Sequence, residues 1–151
     1  MEERFVVFGI NDLKYAISIN LVNEITNACK ISPIPNNSQI IEGVVNLRGD
    51  VIPVINLRKS LNIHQTFPQD HQIIIVNSEY GNYGLIIDVA HDVKTFQKDQ
   101  ISPISEVGLI NTELISAIIN ANGDIIQLIS IDQLLNRNED IKSEKREMIL
   151  C

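Results

Sequence analysis

The residues with chemistry to offer are few and poorly grouped. His64, His71 and His91 do not stand at metal-ligand spacings with cysteines, and neither Cys-x-x-Cys nor His-Glu-x-x-His occurs. An exposed histidine is the simpler account of each. Cys29 sits in a mixed polar and apolar stretch with no nearby candidate for an activating base, and Cys151 is the last residue. No disulfide framework is expected from them, and a reducing, cytoplasmic setting is. Gly-x-Ser-x-Gly, a phosphate-binding loop and a dinucleotide fingerprint are all missing. Asp88 and Asp92 could join His91 in an acid-base site, but carboxylates so placed more often mark a strand end. No cofactor or metal is expected.

One segment stands apart. In Asn46-Leu47-Arg48-Gly49-Asp50, the glycine permits a positive backbone dihedral and the Asn46 side chain can bond turn amides. Arg48 is then left pointing from a tight tip. A guanidinium held this way offers planar, multi-donor bonding to a partner's carboxylate or helix-end carbonyls at low entropic cost. The competing account is a solvated arginine on a turn. The Arg-Gly-Asp tripeptide by itself is weak evidence for adhesion.

The elements that must position this tip are short and strand-like. Arg4 to Phe8 and Leu13 to Ile19 are apolar runs around a turn signal, Gly9-Ile10-Asn11-Asp12. Leu21, Val22 and Ile25 are spaced for one helical turn, which predicts a short helix or tight bend. Pro33 and Pro35 mark a connection. Gly43 to Leu57 reads as a strand pair around Arg48-Gly49-Asp50, followed by a brief helical segment from Asn56 to Leu61. The polar stretch Asn62 to Asp70 is the expected link between halves, and Asn138 to Cys151 reads as a helical or frayed appendage.

Beyond that link the pattern begins again. A shift of 68 lays Phe5-Val6-Val7-Phe8 on Ile73-Ile74-Ile75-Val76 and Tyr15 on Tyr83. A shift of 74 lays Val44–Leu57 on Ile118–Ile131, with five of 14 positions identical and five more exchanging one aliphatic residue for another. The second copy of the tip is Asn122-Gly123-Asp124, which keeps the turn glycine and drops the charge. Gly49 and Gly123 are therefore assigned to turns, and Arg48 is not needed by the turn.

Composition agrees with strands. Ile and Val supply 39 of 151 residues, 44% of the chain is apolar and 21% is charged, which fits an ordered β-rich protein. Val51–Ile55 and Ile125–Ile129 are apolar at nearly every position and must be covered on both faces. Two small barrels packed together would do this, each too small to be stable alone. The expected fold is all-β with short helices: two similar halves of about five strands each, as small barrels or sandwiches, sharing a hydrophobic interface. The expected division is approximately residues 1–66 plus the C-terminal helix for the first half and 67–131 for the second, within one domain over 1–151, with the exact strand exchange left open. A net charge of -7 and 5% aromatics argue against nucleic acid, and no run is long and apolar enough for membrane insertion.

The stretch Gly43-Val44-Val45-Asn46-Leu47-Arg48-Gly49-Asp50-Val51-Ile52-Pro53-Val54-Ile55-Asn56-Leu57-Arg58 resembles the signature of the CheW family of chemotaxis coupling proteins. The resemblance continues through Phe5–Phe8, Tyr15–Ile17, Val22–Ile25, Gly84–Asp88, Pro103 and Ile125–Leu135. Asn56 departs from it, since the family usually places Asp before Leu-Arg. That change keeps the bend and weakens any salt bridge made there.

Membership implies two similar five-stranded SH3-like β-barrels sharing a hydrophobic interface, and a non-enzymatic adaptor. It would join the cytoplasmic hairpin of a chemoreceptor to the regulatory domain of a chemotaxis histidine kinase. Carried over by position, the receptor-binding residues would be Val22, Glu24, Asn46, Arg48 and Val93, with Glu24 as a rim charge or a partner for a nearby arginine. The kinase contacts would be Ile19, Ile104 and Val107. The same adaptor role in another two-component pathway, for motility or gene control, is the near alternative. A small-barrel enzyme with a site near His91, Asp88 and Asp92 is the distant one.

Overall fold

A computed structural model of the chain describes residues 2–36, 38–108 and 114–136, and the side chain of Glu2 is left aside. The first hairpin forms where the apolar runs and the turn signal predict it, from β1 (Glu2–Ile10) and β2 (Leu13–Ser18). Asn11 makes the turn at φ 55°, a dihedral asparagine tolerates better than most residues. A 3₁₀ turn over Ile19–Leu21 then leads into β3 (Val22–Asn27). The expected helix or bend over Leu21 to Ile25 is thus displaced. A bulge between Val22 and Glu24 interrupts the strand's register and leaves Ile25 37% exposed, which is why the apolar spacing imitates a helical turn.

β4 (Ile41–Leu47), β5 (Asp50–Asn56) and α1 (Leu57–Ser60) follow as expected, with the Asn56 side chain accepting from the amides of Arg58 and Lys59 to cap the helix. After the polar link come β6 (Gln72–Ser78), β7 (Gly81–Ile87), β8 (Val89–Gln97), β9 (Ile101–Pro103), α2 (Ile104–Val107), β10 (Ile115–Ala121), β11 (Asp124–Ile129) and α3 (Ile131–Asn136). The expected appendage Asn138 to Cys151 lies outside the described residues.

The strands form a six-stranded sheet, β8-β1-β2-β11-β10-β9, and a five-stranded sheet, β3-β6-β7-β5-β4. The expected division left this exchange of strands open. The first hairpin leaves its own half and joins strands from the second, while β6 and β7 make the reverse exchange. Each sheet thereby holds two strands of one repeat and the remaining strands of the other. Neither half can complete a sheet alone, so a boundary drawn along the chain cannot coincide with one drawn through space.

Repetition extends to the pairing register. Val6 opposes Val93 in one sheet and Ile74 opposes Ile25 in the other. The parallel pairs Leu128–Ala16 and Val54–Gly84 are likewise equivalent. A bulge falls at Ile41/Gly43 in β4 and at Ile115/Ala117 in β10. The tetrapeptide Ile-Ser-Pro-Ile at 31–34 recurs at 101–104, and its serines pair with the equivalent residues Val44 and Ile118. In the larger sheet that pairing extends into β9, which accounts for the sixth strand.

Apolar side chains sort into three clusters. Phe5, Val7, Ala16, Phe96, Ile119 and Ile126 fill one sheet's own interior, and Val45, Ile52, Val54, Ile73, Ile75 and Ile86 fill the other's. The largest cluster lies between the sheets and includes Val6, Phe8, Tyr15, Ile17, Ile55, Ile74, Tyr83, Leu85 and Ile129, closed by Leu134 and Leu135 of α3. Successive residues of a strand point to opposite faces, so Val54 enters the local cluster and Ile55 the shared one. Both faces are covered from Ile52 to Ile55 and from Ile126 to Ile129, as the apolar runs demand, while Val51 and Ile125 beside the tips stay exposed.

Candidate functional site

Arg48 and Gly49 occupy the two central positions of the β4–β5 turn, both with positive φ, 52° and 91°. The Gly49 amide donates to Asn46 Oδ1 at 2.9 Å, so the asparagine locks the tip as its type and position suggest. The other repeat is built alike, with Asn122 at 54°, Gly123 at 99° and the Gly123 amide on Asn120 Oδ1 at 2.9 Å. There the first position is an asparagine, which visits this region readily, whereas an arginine has no such ease. Strain retained in one copy of a duplicated turn points to a task for the side chain it carries.

That side chain is held by Glu24. Both terminal nitrogens of Arg48 donate to the Glu24 carboxylate, Nη1 to Oε2 at 3.2 Å and Nη2 to Oε1. Glu24 belongs to β3, at one end of the five-stranded order, while Arg48 sits on the tip beside β4, at the other end. The pair therefore fastens the two edges of the sheet. The Arg48 side chain is 71% exposed even so, and hydrogen bonding to Glu24, with its charge, raises its pKa further above the ordinary value. The tip presents a permanently charged, pre-aimed donor to solvent.

The structure brings Glu24, Asn46 and Arg48 together. Val22, on the same strand as Glu24, is half-buried against the shared cluster. Val93 stands in the other sheet, on the edge strand β8, opposite Val6 and 43% exposed. Ile19 lines an open cleft of about 580 Å³ together with Arg4, Leu128, Ser130 and Asp132. Ile104 begins α2 and packs partly against the shared cluster, while Val107 ends it with a largely exposed side chain.

Two polar networks lie outside the sequence expectations. The buried Arg58 reaches from α1 to both carboxylate oxygens of Asp88 at 2.7 Å and to Asn11 Oδ1 at 2.8 Å, and the Asn11 amide donates to Asp88 Oδ2 at 2.8 Å. Asp88, considered above for acid-base work, is thus the counter-ion of a buried arginine. Asn56, besides capping α1, donates to Glu42 Oε1 at 2.8 Å, and Lys59 bridges the same oxygen at 3.0 Å. Burial pushes the Glu42 carboxyl up, but Asn56 and Lys59 outweigh it and hold the pKa below the ordinary value. The amide at position 56 thus gains a bond that a carboxylate could not donate. Among the described residues no group of three His, Cys, Asp or Glu side chains could hold a metal ion.

A two-sheet β scaffold of this topology, with a clasped and exposed arginine at one tip, has the architecture of a CheW-like domain. The model of the CheW-like domain matches residues 4–139, and the chain belongs to that family. It is similar to the chemotaxis protein CheW of Bacillus subtilis, 33% identical over 137 residues that cover 89% of this chain and 88% of that one. The chemotaxis protein CheW of Klebsiella aerogenes is 28% identical over 139 residues, covering 91% and 84%. The crystal structure of the scaffolding protein TtCheW from Thermoanaerobacter tengcongensis matches with a TM-score of 0.78 at 33% identity, over 87% of this chain and 90% of that one.

Proposed function

We propose that this chain is a chemotaxis adaptor that couples the cytoplasmic hairpin of a chemoreceptor to the regulatory domain of a histidine kinase. The observation that carries the reading is the clasped Arg48, an exposed guanidinium kept in a left-handed backbone conformation that the counterpart turn gives to an asparagine. Arg48 contacts the receptor, and Asn46 and Glu24 hold it in position. Val22 and Val93 offer apolar ground for a helix. Ile19, Ile104 and Val107 form the kinase-facing surface. The names of the relatives, chemotaxis proteins and a scaffolding protein, support this reading.

Function then follows from rigidity. A chain with both sheets sharing one core cannot flex between them without breaking that core. A rearrangement at the receptor is passed on as a change in which kinase conformation the second surface favours. The test is co-sedimentation of the full chain with a chemoreceptor cytoplasmic fragment and the kinase regulatory domain. A three-component complex is expected, and Val107→Glu should release the kinase domain while keeping the receptor. Loss of both partners together, or of neither, contradicts two separate surfaces.

A further inference from the structure

Among the described residues, four of the seven exposed large apolar side chains fall into two equivalent pairs. Ile25 and Val93, related by the shift of 68, are 37% and 43% exposed, and Val51 and Ile125, related by 74, are 57% and 55% exposed. The same two shifts carry the whole Arg48 surface to a second place. Val22 falls on Ala90, Glu24 on Asp92, Asn46 on Asn120, Arg48 on Asn122 and Val93 on Ile25. These are structural equivalents and not only sequence ones. Val22 opposes Val76 as Ala90 opposes Phe8, each beside a bulge in its edge strand, and the two tips share the left-handed first residue and the same asparagine-to-glycine bond.

We infer that the chain carries a second, symmetry-related copy of the docking surface, made by Ile25, Ala90, Asp92, Asn120 and Asn122, and that Asn122 keeps it closed to the receptor hairpin. This rests on the docking role given above to Arg48. Both surfaces have an acid on the edge strand, an asparagine-locked tip and an exposed aliphatic residue. What the second lacks is the guanidinium. A partner recognised through carboxylates or helix-end carbonyls meets a cation at the first tip. At the second it meets only an uncharged amide, with Asp92 at the edge-strand position that corresponds to Glu24. Duplication alone would yield two receptor sites per chain and a cross-linker of receptors. One residue makes the chain a one-sided bridge.

The experiment moves the arginine between tips in the full chain, with Arg48→Asn, Asn122→Arg and the double variant. The probe is a chemoreceptor cytoplasmic fragment, titrated calorimetrically, with the thermal midpoint as a check of folding. Wild type should take one fragment and Asn122→Arg two. Arg48→Asn should bind at least about tenfold more weakly, the loss of one well-placed charged contact, and the double variant should regain a single site. If Arg48→Asn loses binding but Asn122→Arg adds no site, the second surface is refuted and the first stands. If Arg48→Asn binds as wild type does, the docking role fails and this inference falls with it.

Discussion

Glu24 and Arg48 meet across the open seam of the five-stranded sheet, one from the edge strand β3 and the other from the β4–β5 tip. The pair joins what the hydrogen-bonded ladder leaves apart. It also freezes a long side chain before any partner arrives, so the entropy of ordering it is already spent. Turn, strand edge and ion pair together explain how an exposed arginine can be specific.

Arg48→Asn copies the tip that the other repeat already uses. Because asparagine tolerates the left-handed dihedral and the ion pair it removes is largely exposed, the thermal midpoint is expected to stay level or rise. A marked drop in a thermal melt would make Arg48 a residue of the fold, not of recognition.

Two glycines separate backbone strain from crowding. A side chain at Gly49, φ 91°, would meet nothing within 4 Å, so Gly49→Val should cost only the dihedral penalty, about 1–2 kcal/mol. At Gly43, φ 158°, crowding adds to an unfavourable dihedral, because a Cβ there would lie 2.2 Å from the Ser32 carbonyl oxygen. Gly43→Ala should therefore separate the Ser32-Pro33 segment from β4 and cost about 2–3 kcal/mol. Urea unfolding of both variants checks the order. A harmless Gly43→Ala contradicts the close crossing.

Much of this was legible in the residues themselves. Apolar runs around turn residues gave the hairpins, glycine and asparagine gave the tips, and the offsets of 68 and 74 gave the duplication. The strand exchange was not legible, because period-two patterning says which face a residue uses and nothing about which half supplies its neighbour. The difference in the two offsets and the repeated Ile-Ser-Pro-Ile were the available signals that the repeat ran through the whole chain. The Glu24–Arg48 pair spans 24 residues and two sheet edges, so spacing could name neither partner for the other. Arg58 and Asp88 were likewise separate polar residues until α1 and the end of β7 were brought together.

Arg58 is almost fully buried against Asp88. Removing one partner leaves the other charge buried, and Arg58→Ala or Asp88→Ala is expected to cost about 3–5 kcal/mol. The double variant should cost less than the two added together. Additive losses in a double-mutant cycle would mean the two side chains act independently.

Glu42 sets a pH dependence. Its pKa is depressed by Asn56 and Lys59, so its contribution is fully present above the unfolded-state value and is lost as pH falls through the lower folded-state value. The stability gap between wild type and Glu42→Ala should hold from neutrality to about pH 5, above the usual carboxyl range, and shrink in more acid solution. Asn56→Asp should show the opposite trend, destabilised at neutral pH by the facing Glu42 carboxylate and relieved as either group protonates. Denaturant midpoints measured across pH settle both signs.

The account rests most heavily on what Arg48 touches in a complex. Calorimetric titration of a chemoreceptor cytoplasmic fragment into wild type and into Arg48→Asn, with both shown to melt alike, addresses this directly. The expected result is a loss of about tenfold or more in affinity with the fold intact. Equal affinity for the two proteins would contradict the assignment of Arg48 as the docking residue.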